Sequence, residues 1–208
     1  MKDRIINLVG SSGSGKTTIS KKLEKIGYNI IHSYTTRKPR EINEWGHKFI
    51  SRQEILDMFN INCIPKEEII NKKISIELKT NPRVIAHKEL YGEHYFATIE
   101  QYKGKGTSIY VIDPEGAEVI NKTVKDAEII TIFLQCDKSV REDRLYKRYL
   151  KNTDIEEMRD TQTIILKINE RIEKDKEIFR LCKCDYVVEV NRDIKEIIKD
   201  ITTVIEEK

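Results

Sequence analysis

The chain has 208 residues, of which 38% are hydrophobic and 35% charged, and its 38 Lys and Arg stand against 35 Asp and Glu for a formal net charge of +3. This hydrophobic content supplies the core of a folded body and excludes a disordered chain, and the charge balance does not favour nucleic acid as a partner. Only four Pro and nine Gly occur, and no apolar run approaches the ~18 residues of a membrane helix, so we expect one domain with excursions and no membrane partner.

The first half of the chain alternates between short apolar runs and amphipathic segments. These patterns predict, in order, a strand at Arg4–Val9, a helix at Lys16–Ile26, a strand at Tyr28–Ile31, a polar basic loop at Ser33–Arg40 and a helix at Ser51–Phe59. The last of these begins with a capping-box pattern, with Ser51 as N-cap and Glu54 three residues later. The stretch 60–83 is predicted as mixed structure, and two short strands follow at 84–85 and 95–97.

The second half alternates in the same way. The predicted elements are a strand at Ser108–Ile112, a helix at Pro114–Ile120, a strand at Ile129–Leu134, helices at Ser139–Leu150 and Thr163–Leu181, a strand at Tyr186–Val190 and a helix at Ile194–Ile205. Strands that alternate with helices predict an α/β fold, a parallel sheet sandwiched by helices. Ligands of such sheets bind beyond the carboxyl ends of the strands.

Four cysteines occur, at positions 63, 136, 182 and 184, and the first residues contain too few apolar side chains for a signal-peptide core. We therefore expect reduced thiols and a cytoplasmic location. Cys182 and Cys184 could form half of a zinc site, but neither His nor Cys occurs in 185–208 to complete four ligands, which favours ordinary thiols.

The strongest motif lies between the first predicted strand and helix. Gly10-Ser11-Ser12-Gly13-Ser14-Gly15-Lys16-Thr17 has the form G-x-x-x-x-G-K-[ST] in the context that a phosphate-binding loop requires. Backbone N–H groups and the helix N-terminus would bind phosphate oxygens, Lys16 would reach the β- and γ-phosphates, and Thr17 would hold Mg²⁺. We predict an ATP site formed by these residues and Thr18. The alternative is a Gly/Ser-rich turn that only begins a helix.

A second polar cluster follows the second predicted strand. Residues 32–40 contain three cations and four hydroxyls, and Arg37 and Arg40 have the forked donors that bind a second phosphate group. The alternative interpretation is a solvated basic loop.

Several motifs in chain order resemble those of guanylate kinases. They are the phosphate-binding loop, Ser33-x-Thr35-Thr36-Arg37-x-Pro39-Arg40, Phe49-Ile50-Ser51, Tyr95, Asp113-x-x-Gly116 and Asp185-Tyr186-Val187-Val188. The resemblance covers roughly residues 4–205. It implies transfer of the ATP γ-phosphoryl group to a nucleoside monophosphate, usually GMP. It also implies a core (1–32, 104–143 and 172–208), a region that binds the nucleoside monophosphate (33–103) and a lid (144–171).

The resemblance also implies roles for individual residues of the acceptor site. Arg37 and Arg40 resemble the clamp on the acceptor phosphate, and Tyr95 adds a hydroxyl. Ser33 resembles the residue that contacts the guanine carbonyl oxygen. Asp113 resembles the aspartate that contacts the guanine amino group, and with Thr17 it is a predicted Mg²⁺ ligand.

Arginines carry the predicted lid chemistry. Arg144-Leu145-x-x-Arg148 matches the arginine pair of the family, and Arg171 matches a third arginine on the next helix. Three arginines and Lys16 around the transferred phosphoryl group suit its spread negative charge. The alternative is that these helical arginines form only surface ion pairs.

The sequence departs from the family pattern at three acceptor positions. His47 stands where the family has a tyrosine, Ala86 aligns with the glutamate that reads guanine, and Val111 replaces the first of two acids before Asp113. A neutral His47 can still donate one hydrogen bond, and a protonated one would strengthen the clamp. Glu77 or Glu89 could substitute for the missing glutamate. The stretch 60–83 and the lid are also longer than usual in the family.

The prediction is therefore an Mg²⁺-dependent kinase that uses ATP and a nucleoside monophosphate and needs no side-chain nucleophile. One rival is a divergent kinase for another nucleotide or a small phosphate-bearing acceptor, which the three departures motivate. A second rival is a non-catalytic binding module of guanylate-kinase type, and the intact Gly13, Gly15, Lys16 and Thr17 argue against it. The sequence does not predict an oligomeric state.

Overall fold

The computed structural model describes residues 2–62, 67–152 and 161–206. Cys63 and residues 153–160 of the predicted lid lie outside these ranges. The strands are β1 (Asp3–Val9), β2 (Asn29–Ile31), β3 (Ser33–Thr35), β4 (His47–Phe49), β5 (Val84–Leu90), β6 (Glu93–Thr98), β7 (Thr107–Val111), β8 (Ala127–Gln135) and β9 (Tyr186–Glu189). The helices are α1 (Lys16–Lys25), α2 (Arg52–Met58), α3 (Glu67–Thr80), α4 (Pro114–Thr123), α5 (Lys138–Asn152), α6 (Thr161–Phe179) and α7 (Ile194–Glu206).

Five strands form the central sheet, in the order β2-β7-β1-β8-β9. β2 runs parallel to β7, with Asn29 opposite Ser108, and β8 runs parallel to β9, with Ile132 opposite Tyr186. Parallel neighbours need crossover connections. α5 and α6 lie in the connection between β8 and β9, and the connection between β2 and β7 contains β3 to β6 with α2 and α3. The predicted α/β fold is confirmed.

A second sheet of four strands, ordered β4-β3-β6-β5, was not predicted. β3 occupies the start of the predicted loop Ser33–Arg40, and β4 lies where the sequence predicts no element. β3 pairs parallel with β4 and antiparallel with β6. Both strands have three residues, too few to show a period of two, so their partners decide their conformation.

β5 and β6 form a hairpin longer than the two predicted strands at 84–85 and 95–97. A two-residue turn joins them, and both of its residues have positive φ, 54° at Tyr91 and 77° at Gly92. This is the backbone of a type I′ turn, whose usual sequence signal is Asn-Gly or Asp-Gly. Tyr91 replaces that signal, and the hairpin therefore escaped prediction.

Two helices cover one face of this second sheet. The predicted capping box of α2 is confirmed, because the Ser51 side chain accepts from the Glu54 N–H while the Glu54 side chain accepts from the Ser51 N–H. α3 is the regular element within the stretch 60–83. Their shared core with β6 consists of Ile55, Leu56, Phe59, Ile74, Leu78 and Phe96.

The chain forms two compact units. The first consists of Met1–Ile5, Tyr28–Tyr110 and Glu115–Ile129, and it contains the second sheet with α2 and α3. The other consists of Ile6–Gly27, Val111–Pro114 and Ile130–Lys208. Within this unit α5 and α6 pack through Leu145, Ile164, Ile168 and Ile172. Of the helices in the described ranges, none combines the length and apolar character needed to cross a membrane.

Candidate active site

The glycine-rich loop connects β1 to α1 in a conformation that its glycines make possible. Gly13 and Gly15 have φ of 84° and 90°, in the left-handed region that other residues rarely adopt. A Cβ on Gly13 would also lie 3.0 Å from the carbonyl oxygen of Arg141. The loop therefore requires glycine here for conformation and for space, as the motif predicts.

Lys16 begins α1 and extends back over the loop. Its Nζ donates to the carbonyl oxygens of Gly10 and Ser11, the second at 3.1 Å. Burial lowers the pKa of Lys16 to about 8, the Asp175 carboxylate opposes this, and Arg148, Arg171 and Arg141 lower the pKa further. A lysine among three arginines is a cationic centre that suits a polyanion.

The three predicted lid arginines lie around this loop. Arg144 donates from Nη1 to the Gly13 carbonyl oxygen at 3.1 Å, and Arg171 donates from Nε to the Ser12 hydroxyl at 2.7 Å. Arg148 is exposed one turn beyond Arg144, near enough to affect the pKa of Lys16. The structure thus brings α5 and α6 to the loop with their arginines on it.

Two charged residues at the loop were not singled out from the sequence. Asp175 accepts from the Ser12 N–H at 2.6 Å, and the Nη1 atom of Arg141 lies 3.8 Å from its carboxylate. Both side chains are only 9% exposed. In the sequence they resemble ordinary charged positions of surface helices, so no local signal marks them.

A cavity of about 210 Å³ adjoins the loop. Its lining includes apolar side chains, Ile19, Val190 and Ile197, together with the cations Arg144 and Arg192. An apolar cavity with a few polar groups beside a phosphate-binding loop suits a nucleobase or ribose. The sequence did not predict this cavity, because α1, α5 and the segment after β9 form it together.

Thr17 and Asp113 are the predicted metal ligands. Thr17 is exposed in the first turn of α1, and Asp113 is half-buried between β7 and α4. No group of three or more His, Cys, Asp or Glu side chains within the described ranges could hold a metal ion. A hydroxyl and a carboxylate still fit Mg²⁺, which takes few protein ligands and completes its shell with water and phosphate oxygens.

The other unit holds the predicted acceptor residues except Asp113, which belongs to the same unit as the phosphate-binding loop, and its second sheet carries Ser33, His47 and Tyr95. Ser33 is opposite His47 in the register of β3 and β4, and Thr35 is opposite Tyr95 in the register of β3 and β6. Directly opposed residues share a face, as do positions i and i+2 of a strand. Ser33, Thr35, His47 and Tyr95 therefore line the same surface.

Arg37 lies against this surface and is paired with an acid that was not singled out from the sequence. Its guanidinium donates to both carboxylate oxygens of Glu44, at 3.0 and 2.8 Å, and the Arg40 N–H donates to the same carboxylate at 2.7 Å. These bonds hold the pKa of Glu44 at about 2, although burial opposes them. Arg40 itself is exposed.

The other predicted acceptor residues of the second sheet have defined neighbours. The Ser33 and Tyr110 hydroxyls are 3.0 Å apart, and the rings of His47 and Tyr95 are 5.9 Å apart. Burial and the Arg37 charge lower the pKa of His47, so its imidazole is neutral near pH 7. A protonated clamp at this position is therefore not favoured.

Neither proposed substitute for the guanine-reading glutamate lies on the Tyr95 face. Glu89 accepts from Ser75 of α3, on the helix-covered face, and Glu77 of α3 accepts from the Asn81 side chain. Lys88, opposite Tyr95, is the charged residue of β5 on this face, and it pairs with Glu115 at 2.7 Å.

Two guanylate kinases and a dephospho-CoA kinase are similar in sequence to this chain. A guanylate kinase of Wolbachia pipientis wMel is 28% identical over 207 residues, 97% of this chain and 88% of that protein. A guanylate kinase of Maricaulis maris (strain MCS10) is 26% identical over 210 residues, 97% of this chain and 81% of that protein. A dephospho-CoA kinase of Dehalococcoides mccartyi is 28% identical over 120 residues, 53% of this chain and 56% of that protein.

The solved guanylate kinase from Anaplasma phagocytophilum shares the fold, with a TM-score of 0.59 at 20% identity over 99% of this chain and 86% of that one. No protein-family model matches the chain. The chain is nevertheless similar to guanylate kinases over nearly its whole length, which confirms the resemblance to that family.

Proposed function

We propose that this protein transfers the γ-phosphoryl group of ATP to the phosphate of a nucleoside monophosphate, with GMP as the first acceptor to test. The observation that carries the proposal is the glycine loop with Lys16, Arg144 and Arg171 on it. The similarity to guanylate kinases over 97% of the chain supports a kinase that acts on a nucleotide.

ATP would bind at the loop. The backbone N–H groups of residues 10–17 and the N-terminus of α1 would receive the phosphates, and Lys16 would turn from its loop carbonyls to the β- and γ-phosphates. The cavity beside Ile19 and Val190 would take the base or ribose. The dry surroundings that depress the pKa of Lys16 also strengthen its attraction for phosphate.

The acceptor would bind on the face that carries Ser33, His47 and Tyr95, with its phosphate on Arg37. Glu44 holds Nη1 and Nη2 of the Arg37 guanidinium, so the group is oriented before the acceptor arrives, and the phosphate would bind its remaining N–H groups. Neutral His47 would contribute one hydrogen bond.

The chemistry is a substitution at the γ-phosphorus. An acceptor phosphate oxygen forms the new P–O bond while the bond to the β-γ bridging oxygen breaks, which gives ADP and a nucleoside diphosphate. Lys16, Arg144, Arg148 and Arg171 would neutralise the charge that spreads over the transferred oxygens. Mg²⁺, held by Thr17 and Asp113, would supply further neutralisation of the phosphates.

A different acceptor is the second candidate, and a specific observation favours it. Ala86 stands where the family has an acid, Lys88 lies on the acceptor face, and neither Glu77 nor Glu89 shares that face. The Lys88 amine, which pairs with Glu115, presents donors on this face where an acid would present acceptors, and such donors would prefer a different base from guanine.

One experiment separates these candidates. ATP-dependent ADP formation is measured with GMP, dGMP, AMP, UMP, CMP and dTMP offered separately, with Lys16→Ala as the inactive control. GMP as the best acceptor supports the proposal, and another nucleotide as the best acceptor supports the second candidate. Failure of Mg·ATP to bind in calorimetry would indicate a non-catalytic module instead.

A further inference from the structure

Asp175 is a buried anion inside a site built for anions. It lies on α6 one turn after Arg171, and its carboxylate accepts from the Ser12 N–H at 2.6 Å and from the Ser12 hydroxyl at 3.4 Å. A carboxylate near the loop repels phosphate, and its burial costs solvation. Neither effect serves ATP binding, and the support that the carboxylate gives to the charged form of Lys16 does not require its hydrogen bond to the Ser12 N–H, so that bond needs another reason.

Asp175 occupies a position of α6 where the burial pattern favours an apolar side chain. Its buried positions are Ile164, Ile168, Ile172 and Asp175, a helical stripe of which the first three members form the core with α5. Asp175 continues that stripe to the loop, where an apolar side chain would extend the core. The aspartate therefore replaces packing with a bond to the loop backbone.

Three segments meet at this carboxylate. α5 supplies Arg141, whose Nη1 lies 3.8 Å from Asp175, and α6 supplies Arg171, whose Nε donates to the Ser12 hydroxyl at 2.7 Å. Both side chains of α6, Asp175 and Arg171, therefore form hydrogen bonds with the same residue, Ser12. Gly13, the next residue, lies so close to Arg141 that a Cβ would be 3.0 Å from its carbonyl oxygen.

We propose that Asp175 is a positioning residue, which holds the phosphate-binding loop through Ser12 and so fixes the loop and the Arg171 guanidinium relative to each other. The Arg141 cation neutralises the Asp175 carboxylate. The hydrogen bond to Ser12 is therefore kept while the repulsion between the carboxylate and ATP is reduced. This role rests on the proposed function, because the alignment matters for phosphoryl transfer.

The test compares three variants with the wild type. Asp175→Asn keeps an oxygen that can accept a hydrogen bond from the Ser12 N–H, and Asp175→Leu removes that acceptor. Asp175→Leu also leaves the Arg141 cation buried without this carboxylate, so the paired variant Arg141→Leu/Asp175→Leu removes the cation as well. Replacing both members of a buried ion pair by apolar residues is often neutral for stability. Glu173→Gln is the matched control, because Glu173 is exposed on the same helix and pairs only with Lys176 in the contacts described.

We expect kcat to fall at least ~10-fold in Asp175→Leu, the loss expected for one charge-assisted hydrogen bond, and less in Asp175→Asn. The acceptor KM should stay within ~2-fold, because the described hydrogen bonds and ion pairs of Asp175 are with Ser12 of the loop and Arg141 of α5. Amide exchange at Ser12 should accelerate in the Leu variants. The paired variant should regain the melting temperature of the wild type without regaining its kcat.

A paired variant with the stability, loop exchange and kcat of the wild type would overturn the proposal and leave Asp175 a packing residue. Amide exchange does not depend on turnover. A wild type inactive with every acceptor would therefore defeat the proposed function, while the exchange comparison would still decide whether Asp175 holds the loop.

Discussion

Arg37→Ala tests the acceptor site most directly, because the structure shows what the substitution leaves behind. The variant loses the guanidinium whose charge and remaining N–H groups would bind the acceptor phosphate. The Arg37 and Glu44 side chains are only 15% and 13% exposed, so water screens this position less than a surface ion pair. A charge-assisted contact of ~1.5–3 kcal/mol corresponds to a rise of ~10–150-fold in the acceptor Kd.

Glu44 increases the loss of acceptor affinity that Arg37→Ala causes. With Arg37 present its pKa is about 2, and without Arg37 it remains ionised at neutral pH, now beside the phosphate of the acceptor. A like charge a few ångströms away costs ~1–4 kcal/mol, depending on how far water screens it. Glu44→Gln in the Arg37→Ala background should therefore recover at least ~5-fold in acceptor affinity.

Calorimetry with the acceptor and steady-state KM for both substrates measure these effects. Lys38→Ala is the matched control, because Lys38 is exposed on the same loop, and it should change the acceptor KM less than ~2-fold. An Arg37→Ala enzyme with an unchanged acceptor KM, or with a change only in the ATP KM, would refute the assignment of this clamp.

Three further substitutions test the loop and the arginines around it. Lys16→Ala should lower kcat at least ~10²-fold, because it removes the positive charge that would bind the transferred phosphate. The melting temperature measured by circular dichroism should stay unchanged, because the substitution also removes the cost of burying an ammonium group. Arg148→Ala should lower kcat far more than it raises the Kd for ATP measured by calorimetry, because its contact with the phosphoryl group is stronger in the transition state than in the ATP complex. The control Lys147→Ala breaks a described surface pair with Asp143 and should change neither quantity. Gly13→Ala should lower the melting temperature more than Gly27→Ala, because both glycines have positive φ but only Gly13 lacks space for a Cβ.

The parts of the candidate site that the sequence predicts are the locally encoded ones. Residues 10–17 fix their own conformation, because Gly13 and Gly15 supply the left-handed backbone and α1 begins at Lys16. The capping box of α2 is local in the same way. Such features need no tertiary partner to be recognised.

The parts that were not predicted depend on contacts that form only in the folded structure, mostly with residues distant in the chain. β4 has three residues and exists because β3 pairs with it, and Asp175 meets Ser12 across 163 positions. Glu44 is close to Arg37 in sequence, but its pairing depends on the turn between them. A charged residue in such a place has the same local pattern as a solvated one, so only the assembled fold distinguishes them.

Glu44 and Asp175 apply the same physical device at two separate cationic centres. Under the proposed function, each carboxylate fixes a cation or a loop that phosphate would contact. Each would weaken phosphate binding if its charge were not balanced, by Arg37 in one unit and by Arg141 in the other. The two differ in what they hold. Glu44 orients a side chain, so its removal should chiefly alter acceptor affinity, whereas Asp175 holds backbone, so its removal should chiefly alter turnover. An enzyme that aligns its cations beforehand loses less free energy to reorganisation at the transition state, and this gain offsets the repulsion that the two carboxylates introduce.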